Sequence, residues 1–162
     1  MADHLVSEAL YLNDPDGLGI EIYRDRPRET WQKVGGQIAM ATDPLDLESV
    51  ANEPGAELPW TGLEAGTVIG HVHLHVASLV DAEQLYCGIV GFEPTVRAYP
   101  GALFVAAGGY HHHLGLNTWM GEGAPPPPEN AVGLRWLSVR ASSLDRGEVV
   151  DAAARVVVSL GP

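Results

Sequence analysis

Apolar and polar residues alternate with a period of two along residues 1–23, the opening segment of the chain. Leu10 and Leu12 occupy alternate positions in one stretch, and Ile20 and Ile22 do so in the next. Such an alternation is typical of β-strands with one apolar face. Between the two stretches, the letters DPDG form a typical turn sequence. The pattern therefore predicts a β-hairpin in this opening segment.

Two periodicities follow one another in residues 67–119. The stretch TVIGHVHLHV alternates like a strand. In the next stretch, VDAEQLYCGIVGF, one buried helix face is predicted to contain Ala82, Leu85, Tyr86 and Ile89. Three short apolar stretches follow, PTVRAY, ALFVAAGG and HHHLGLNTW. This segment therefore predicts a complete unit of strand, helix and three further strands.

The remaining segments are rich in turn residues or repeat part of this pattern. Residues 24–66 read as a linker, with a short helix predicted in AMATDPLDLESVANE. Residues 120–131 form a connector, because a proline run suits neither a helix nor a central strand. Residues 132–162 begin the strand and helix pattern again in GLRWLSVRA and LDRGEVVDAAARVVVSL.

The order of these segments predicts an α+β fold and a slice of a longer repeat protein, truncated at both ends. Residues 1–23 resemble the last two strands of one unit, and residues 132–162 resemble the first strand and helix of another. A hairpin or a half-unit cannot bury its apolar face alone. We therefore expect pairing with a second chain, as a homodimer with exchanged strands.

Histidines share one face of the strand predicted in TVIGHVHLHV. His71, His73 and His75 lie on one side, and Val72 and Leu74 lie on the other. The apolar side is expected to pack under the following helix, which leaves the imidazoles on the open side of the sheet. Three buried core histidines would each need a hydrogen-bond partner, so a polar cavity is the simpler reading. Buried core histidines are the alternative here, and for the histidines of HHHLGLNTW the alternative is a solvated edge strand.

The same alternation sorts the three consecutive histidines of HHHLGLNTW. His112 shares a face with Leu114, whereas His111 and His113 share a face with Asn117. The pattern therefore predicts His113 as the cavity residue and places His112 beside the core.

Glu21 adds a carboxylate to these imidazoles, since the apolar side chains next to it point to the other face of its strand. Two histidines and one carboxylate on one side of an ion suit Fe(II) or Mn(II) and leave positions open for substrate and dioxygen. An exposed strand carboxylate without a ligand is the alternative.

Composition limits the classes of partner. The 162-residue chain has a formal charge of −12, which argues against nucleic acid and anionic membranes as partners. No apolar run approaches the roughly 20 residues that span a bilayer, and the start, MADHLVSEAL, lacks the features of a secretory signal. The single cysteine, Cys87, suits a reducing compartment, so we expect a cytoplasmic location.

Two patterns resemble the repeated unit of the vicinal oxygen chelate superfamily, which includes glyoxalase I, bleomycin-resistance proteins and extradiol ring-cleaving dioxygenases. They are DPDGxxIE after a strand and GHVxLxVxxLxxAxxxYxxxxGF. The resemblance covers most of residues 3–160, and its finer match is to bacterial catechol 2,3-dioxygenase-like proteins. It implies βαβββ modules that pair into an incomplete barrel around a metal.

The resemblance also implies roles for individual residues. His71 and Glu21 would ligate the metal, most readily Fe(II), with Mn(II) or another divalent ion as the alternative. Tyr11 and His4 would orient a small aromatic diol, and His113 would act as acid and base while dioxygen cleaves the ring. The side chains expected to line the substrate site are His73, His75, His111 and Asn117.

The chain departs from the family pattern at the second metal-binding histidine. That residue would lie in the first strand of the module that carries Glu21, upstream of Met1. In the half-module that follows the connector, the equivalent position is Leu134, which cannot ligate a metal. A glyoxalase-type isomerase or lyase, a non-catalytic binding module and an inert remnant therefore stay as alternatives to a dioxygenase.

Overall fold

The computed structural model describes residues 1–140, 147–151 and 156–161, and the chain divides into two compact units. The first unit is Met1–Gly70 and the second unit is His71–Pro162. Strands dominate and the helices are short, in agreement with the predicted α+β class. Across the described ranges, no helix has both the length and the apolar character needed to cross a membrane.

The opening segment of the first unit forms a three-stranded antiparallel sheet in the order β1–β2–β3. Its strands are β1 (Ala2–Asp3), β2 (Ser7–Asn13) and β3 (Gly19–Asp25). The turn between β2 and β3 is closed by the Asp14 carboxylate, which accepts hydrogen bonds from the backbone N–H groups of Asp16 and Leu18. The resulting register pairs Tyr11 directly with Glu21.

This register also places four aliphatic side chains in cross-strand pairs on one face of the hairpin. Leu10 pairs with Ile22, and Leu12 pairs with Ile20. Their exposed fractions lie between 37% for Leu10 and 49% for Ile22. Because successive residues of a strand point to opposite faces, Tyr11 and Glu21 lie on the other face. The hairpin thus has one aliphatic face that is a little less than half exposed.

The rest of the first unit contains short elements. A 3₁₀ turn spans Arg28–Thr30, a small hairpin pairs β4 (Lys33–Val34) with β5 (Gln37–Ile38), and helix α1 spans Leu47–Ala51. The Asp46 side chain caps this helix by accepting a hydrogen bond from the Ser49 N–H. Helix α1 lies inside the stretch where the short helix was predicted.

The second unit begins with a strand, a helix and three strands, in the order predicted. The elements are β6 (Val72–His75), α2 (Leu79–Glu83), β7 (Glu93–Val96), β8 (Ala102–Ala106) and β9 (Leu114–Asn117). The four strands form one sheet in the order β6–β9–β8–β7. The first strand pairs with β9 in parallel, and the other pairs are antiparallel. As a result, β6 and β9 lie side by side in the sheet.

The core of the second unit lies between this sheet and the helical segment that follows β6. Leu74 and Leu116 from the sheet meet Tyr86 from the helical side, and all three are buried. After α2, the helix continues as a π-helix over Gln84–Ile89, whose wider turn shifts the helical spacing by one residue. This shift corrects the prediction for Ile89, which is 56% exposed, while Val90 is buried.

The C-terminal part of the second unit forms a separate three-stranded sheet in the order β10–β12–β11. Its strands are β10 (Trp136–Arg140), β11 (Gly147–Asp151) and β12 (Val156–Gly161). A helix was predicted after β10, but the described residues there form strands. A run of β-branched valines begins β12, and such residues favour extended backbone over helix. Residues 141–146 and 152–155, which also belong to the predicted helix, lie outside the described residues.

The described strands form separate sheets, and none of these sheets closes into a barrel. The predicted division into βαβββ modules, with an incomplete barrel between them, therefore stays a prediction.

Candidate functional site

Strand β6 presents histidines on the side of the sheet away from the core, as the alternation predicted. Leu74 is buried in the core, whereas His73 and His75 are exposed on the opposite side. His71 immediately precedes β6 and is half-buried. Alternation along this strand therefore predicts correctly which side chains enter the core.

Three imidazoles of the second unit lie close together, and we call them the imidazole cluster: His71, His73 and His112. One ring nitrogen from each lies within 4.8 Å of the corresponding nitrogen of the other two. The His71 ring centroid is 5.2 Å from that of His73 and 4.2 Å from that of His112. Strands β6 and β9 are neighbours in the sheet. Side chains at the start of β6 and in the loop before β9 therefore lie close together.

His112 is buried next to the buried Phe104, and it also belongs to the cluster, which the sequence did not predict; the role predicted for His113 stays a prediction. The His113 ring stacks on Phe92, a residue that packs against the core, and its Nδ1 accepts a hydrogen bond from the Ala107 N–H. Strand β9 begins only at Leu114. The three histidines lie in an irregular loop, to which strand alternation does not apply.

Gly115 and two aromatic residues determine where the His73 ring lies. Strand pairing places His73 beside Gly115, and a Cβ atom on Gly115 would lie 2.4 Å from Cε1 of the His73 ring. The same ring stacks on Trp119 at 6.4 Å and meets the buried Phe104 edge-on at 5.9 Å. The ring therefore occupies the space that a side chain at position 115 would fill, and sequence reasoning did not assign this role to Gly115.

A contact with the His111 side chain fixes the position of the His112 ring. The Nδ1 atoms of the two rings lie 2.8 Å apart, and His111 is only 1% exposed. The Thr95 hydroxyl donates a hydrogen bond to the His111 carbonyl, which anchors this loop to β7. Because Nδ1 of His112 is used in the contact with His111, coordination of a metal by His112 would use Nε2.

His75 and Asn117 form a second polar pair, one step further along the paired strands. Nδ1 of His75 lies 2.7 Å from Oδ1 of Asn117, and Asn117 is 2% exposed. An amide oxygen only accepts hydrogen bonds, so His75 donates from Nδ1. The structure therefore brings these two predicted substrate-binding residues together.

The first unit contains another set of predicted residues, joined by hydrogen bonds. Nδ1 of His4 lies 2.6 Å from the Ala41 carbonyl oxygen, and Nε2 lies 2.5 Å from the Tyr11 hydroxyl. The Tyr11 hydroxyl in turn donates to Glu21 at 2.9 Å. We call His4, Tyr11 and Glu21 the hydrogen-bond chain. The cross-strand pairing of Tyr11 with Glu21 explains their contact, and the turn before β2 brings His4 to them.

That turn depends on Asp3 and Arg26. Leu5 adopts a positive φ of 69°, and Oδ1 of Asp3 accepts a hydrogen bond from its N–H at 2.8 Å. Both carboxylate oxygens of Asp3 also accept hydrogen bonds from the Arg26 guanidinium, at 2.5 and 2.8 Å. These hydrogen bonds from Arg26 hold the pKa of the Asp3 carboxyl below its usual value. Asp3 therefore fixes the conformation that places His4 next to Tyr11.

The chemistry of the imidazole cluster suits a divalent transition metal. Imidazole nitrogen is a good ligand for zinc, copper, nickel and ferrous iron. In a tetrahedral site with metal–nitrogen bonds of about 2.0 Å, the ligand atoms lie roughly 3.3 Å apart. The spacing within 4.8 Å thus requires only small side-chain movements to close around an ion.

Comparison with known proteins agrees with the resemblance drawn from the sequence. A catechol-2,3-dioxygenase of Bacillus subtilis (strain 168) is 50% identical over 162 aligned residues, which cover 98% of this chain. The chain spans 55% of the length of that relative. No family model matches the chain. The chain is therefore similar to a protein named catechol-2,3-dioxygenase over about half of the length of that protein.

Proposed function

We propose that the chain is an extradiol dioxygenase-like protein that cleaves the ring of a small catechol-type substrate with dioxygen. The observation that carries the proposal is the 50% identity to a protein named catechol-2,3-dioxygenase. The imidazole cluster supports it, because this chemistry requires a divalent metal with open coordination positions.

The proposed metal is Fe(II), with Mn(II) as the alternative, and the proposed ligands are His71 and Glu21. When bound, such an ion supplies Lewis acidity toward the diol oxygens and the redox chemistry that dioxygen requires. The Glu21 carboxylate would offset part of the positive charge of the ion. This proposal requires that His71 and Glu21 bind the same ion, within one subunit or across two. In that arrangement, paired βαβββ modules would form the incomplete barrel around the metal.

The protein itself would position the substrate and move protons. Tyr11 and His4 would hydrogen-bond the diol oxygens, and the chain of contacts from Ala41 to Glu21 orients both side chains for that purpose. His113 would exchange protons with the substrate through Nε2, since its Nδ1 accepts from the Ala107 N–H. The proposed substrate-site wall contains His73, His75, His111 and Asn117.

Oxygen uptake tests this proposal. The full chain, loaded without air with Fe(II) or with Mn(II), would be mixed with catechol and with substituted catechols in air-saturated buffer, and oxygen consumption and ring-opened product would be followed together. We expect uptake that falls at least about 100-fold in Glu21→Gln and in His71→Ala. Glu57→Gln, which changes an exposed carboxylate, is the matched control and should retain full activity. Absence of uptake with every catechol and with both metals would contradict the proposal.

The acidic charge favours a second candidate function, non-catalytic binding of a cationic small molecule in the manner of bleomycin-resistance proteins. A formal charge of −12 attracts cationic ligands. Bleomycin would then raise the melting temperature of the metal-free protein, because a ligand that binds only the folded state stabilises it. A dioxygenase would show the opposite pattern, with stabilisation by metal and catechol and none by the drug.

We also propose that the chain forms a homodimer with exchanged strands. The exposed aliphatic face of the hairpin supports this proposal, since Leu10, Leu12, Ile20 and Ile22 remain partly uncovered within one chain. Sheet edges and faces of this kind favour association with another chain.

A further inference from the structure

The imidazole cluster joins three histidines from a single unit of the chain, without any carboxylate. His71 and His73 come from the start and the middle of the β6 segment, and His112 comes from the loop before β9. All three lie in the second unit, whereas Glu21 lies in the first. The sequence alone assigned only His71 to a metal among these three. The structure therefore provides two further nitrogen ligands next to His71 within the second unit.

We propose that His71, His73 and His112 form a three-imidazole site that binds a divalent transition metal without Glu21. Three protein nitrogens leave at least one coordination position open, as in sites where a metal binds water or substrate. An all-nitrogen set favours Zn²⁺, Co²⁺, Ni²⁺ and Cu²⁺ over Mn²⁺, which prefers oxygen ligands. This inference deepens the proposed function, but metal binding at this site does not depend on dioxygenase activity.

Contacts around the cluster fix the orientation of two of its imidazole rings, as is usual for histidines that bind a metal. A ligating histidine usually forms a hydrogen bond through its other ring nitrogen, and this bond fixes the orientation of the ring. Nδ1 of His112 makes such a contact with the buried His111. The His73 ring lies over Gly115 and is held by Phe104. These contacts limit the positions available to both rings, which lowers the entropy lost when an ion is bound.

Titration of the metal-free full chain with Co²⁺ and then with Zn²⁺ tests the inference. Co²⁺ bound to nitrogen ligands has visible absorption bands that report coordination directly, and calorimetry gives affinity and stoichiometry. We expect about one ion per chain, displacement of Co²⁺ by Zn²⁺, and a loss of affinity of at least about 100-fold in His73→Ala and in His112→Ala. Glu93→Gln is the control, because Glu93 is an exposed residue of the same sheet that lies outside the cluster, and it should change metal affinity less than about threefold.

The Glu21→Gln variant separates this inference from the ligand set of the proposed function. Unchanged Co²⁺ affinity in Glu21→Gln, with losses in His73→Ala and His112→Ala, supports the three-imidazole site. Losses in all three variants would show that Glu21 is also a ligand and would overturn the inference that the site binds metal without it. A loss in Glu21→Gln alone, or no binding of either ion, overturns the inference. Circular dichroism melting curves of each variant would check that it is folded under the conditions of the titration. Oxygen uptake is scored independently, so dioxygenase activity can fail while metal binding succeeds, or the reverse.

Discussion

The His73 ring lies directly over Gly115, so that a Cβ atom at position 115 would be 2.4 Å from Cε1 and 2.6 Å from Nδ1 of that ring. This contact follows from the parallel pairing of β6 with β9, which places the two residues side by side. Glycine is therefore required at position 115 for the His73 imidazole to reach His71 and His112.

The first prediction concerns Gly115→Ala. The added methyl group would push the His73 ring away from the other two imidazoles, while the backbone conformation at position 115 remains accessible to alanine. We expect Co²⁺ affinity to fall by at least about 10-fold, because the orientation of a ligating ring strongly affects metal affinity. Gly133→Ala is the control, since a Cβ atom there would meet nothing within 4 Å. Equal Co²⁺ affinities for the two variants would show that His73 is not a ligand.

The second prediction concerns the coupling free energy between the side chains of His4 and Tyr11. Their contact is 2.5 Å long, and the Tyr11 hydroxyl also donates to Glu21. A double-mutant cycle with His4→Ala and Tyr11→Phe should give a coupling of about 0.5–1.5 kcal/mol in the free energy of unfolding measured with urea.

A control cycle would combine Tyr11→Phe with Asp46→Ala, which removes the cap of α1. The effects of these two substitutions should add within about 0.5 kcal/mol. A coupling for His4 and Tyr11 as small as that of the control would mean that the hydrogen-bond chain contributes nothing measurable to stability.

The alternation of polar and apolar residues predicts which face a side chain occupies where the backbone is a regular strand. It makes no reliable prediction in irregular loops. In β6, the alternation correctly places Leu74 in the core and His73 on the open face. The turn sequence after β2 likewise fixes the register that pairs Tyr11 with Glu21. The alternation did not show that His112 joins His71 and His73, because its loop is not part of β9, whose first residue is Leu114.

Other features depend on contacts between residues far apart in the sequence, which no local pattern contains. His4 reaches Tyr11 only because Asp3 stabilises a positive φ at Leu5 and is itself held by Arg26. The helix predicted after β10 was also wrong, because residues 147–151 and 156–161 form strands. The run of valines that opens β12 has the apolar character of a helix face, but pairing with β10 makes it a strand.

The third prediction concerns the pH dependence of stability. Hydrogen bonds from Arg26 lower the pKa of Asp3, so the folded chain binds a proton at this site less tightly than the unfolded chain does. The stabilisation is therefore complete above the unfolded pKa, near pH 4, and it is lost as the pH falls through the lower folded value. The side chains of Arg26 and Asp3 are 31% and 25% exposed, so solvent screens their interaction. We therefore expect a stabilisation of about 1 kcal/mol.

Urea unfolding at several pH values between neutral and strongly acidic pH would measure this effect. Arg26→Gln should lose about 1 kcal/mol at pH 7 and should show a weaker decline of stability below pH 4 than the unmodified chain. Asp16→Asn, which changes an exposed turn carboxylate, should follow the unmodified chain. Parallel pH curves for Arg26→Gln and the unmodified chain would exclude the Asp3–Arg26 pair as a source of acid sensitivity.

The fourth prediction concerns the aliphatic face of the hairpin. Complete burial of an aliphatic side chain contributes about 1.5–3 kcal/mol, so covering four that are roughly half exposed would contribute about 3–6 kcal/mol toward association. Ile22 pairs with Leu10 across the hairpin, and a carboxylate there would have to be desolvated in a dimer. Sedimentation equilibrium should therefore show a dimer for the unmodified chain and a monomer for Ile22→Glu at the same concentration. Ile69→Glu places the same charge at an 89% exposed position outside the hairpin, so it should leave the dimer intact. If the unmodified chain is monomeric, or if both variants dissociate equally, the hairpin face is not the dimer interface.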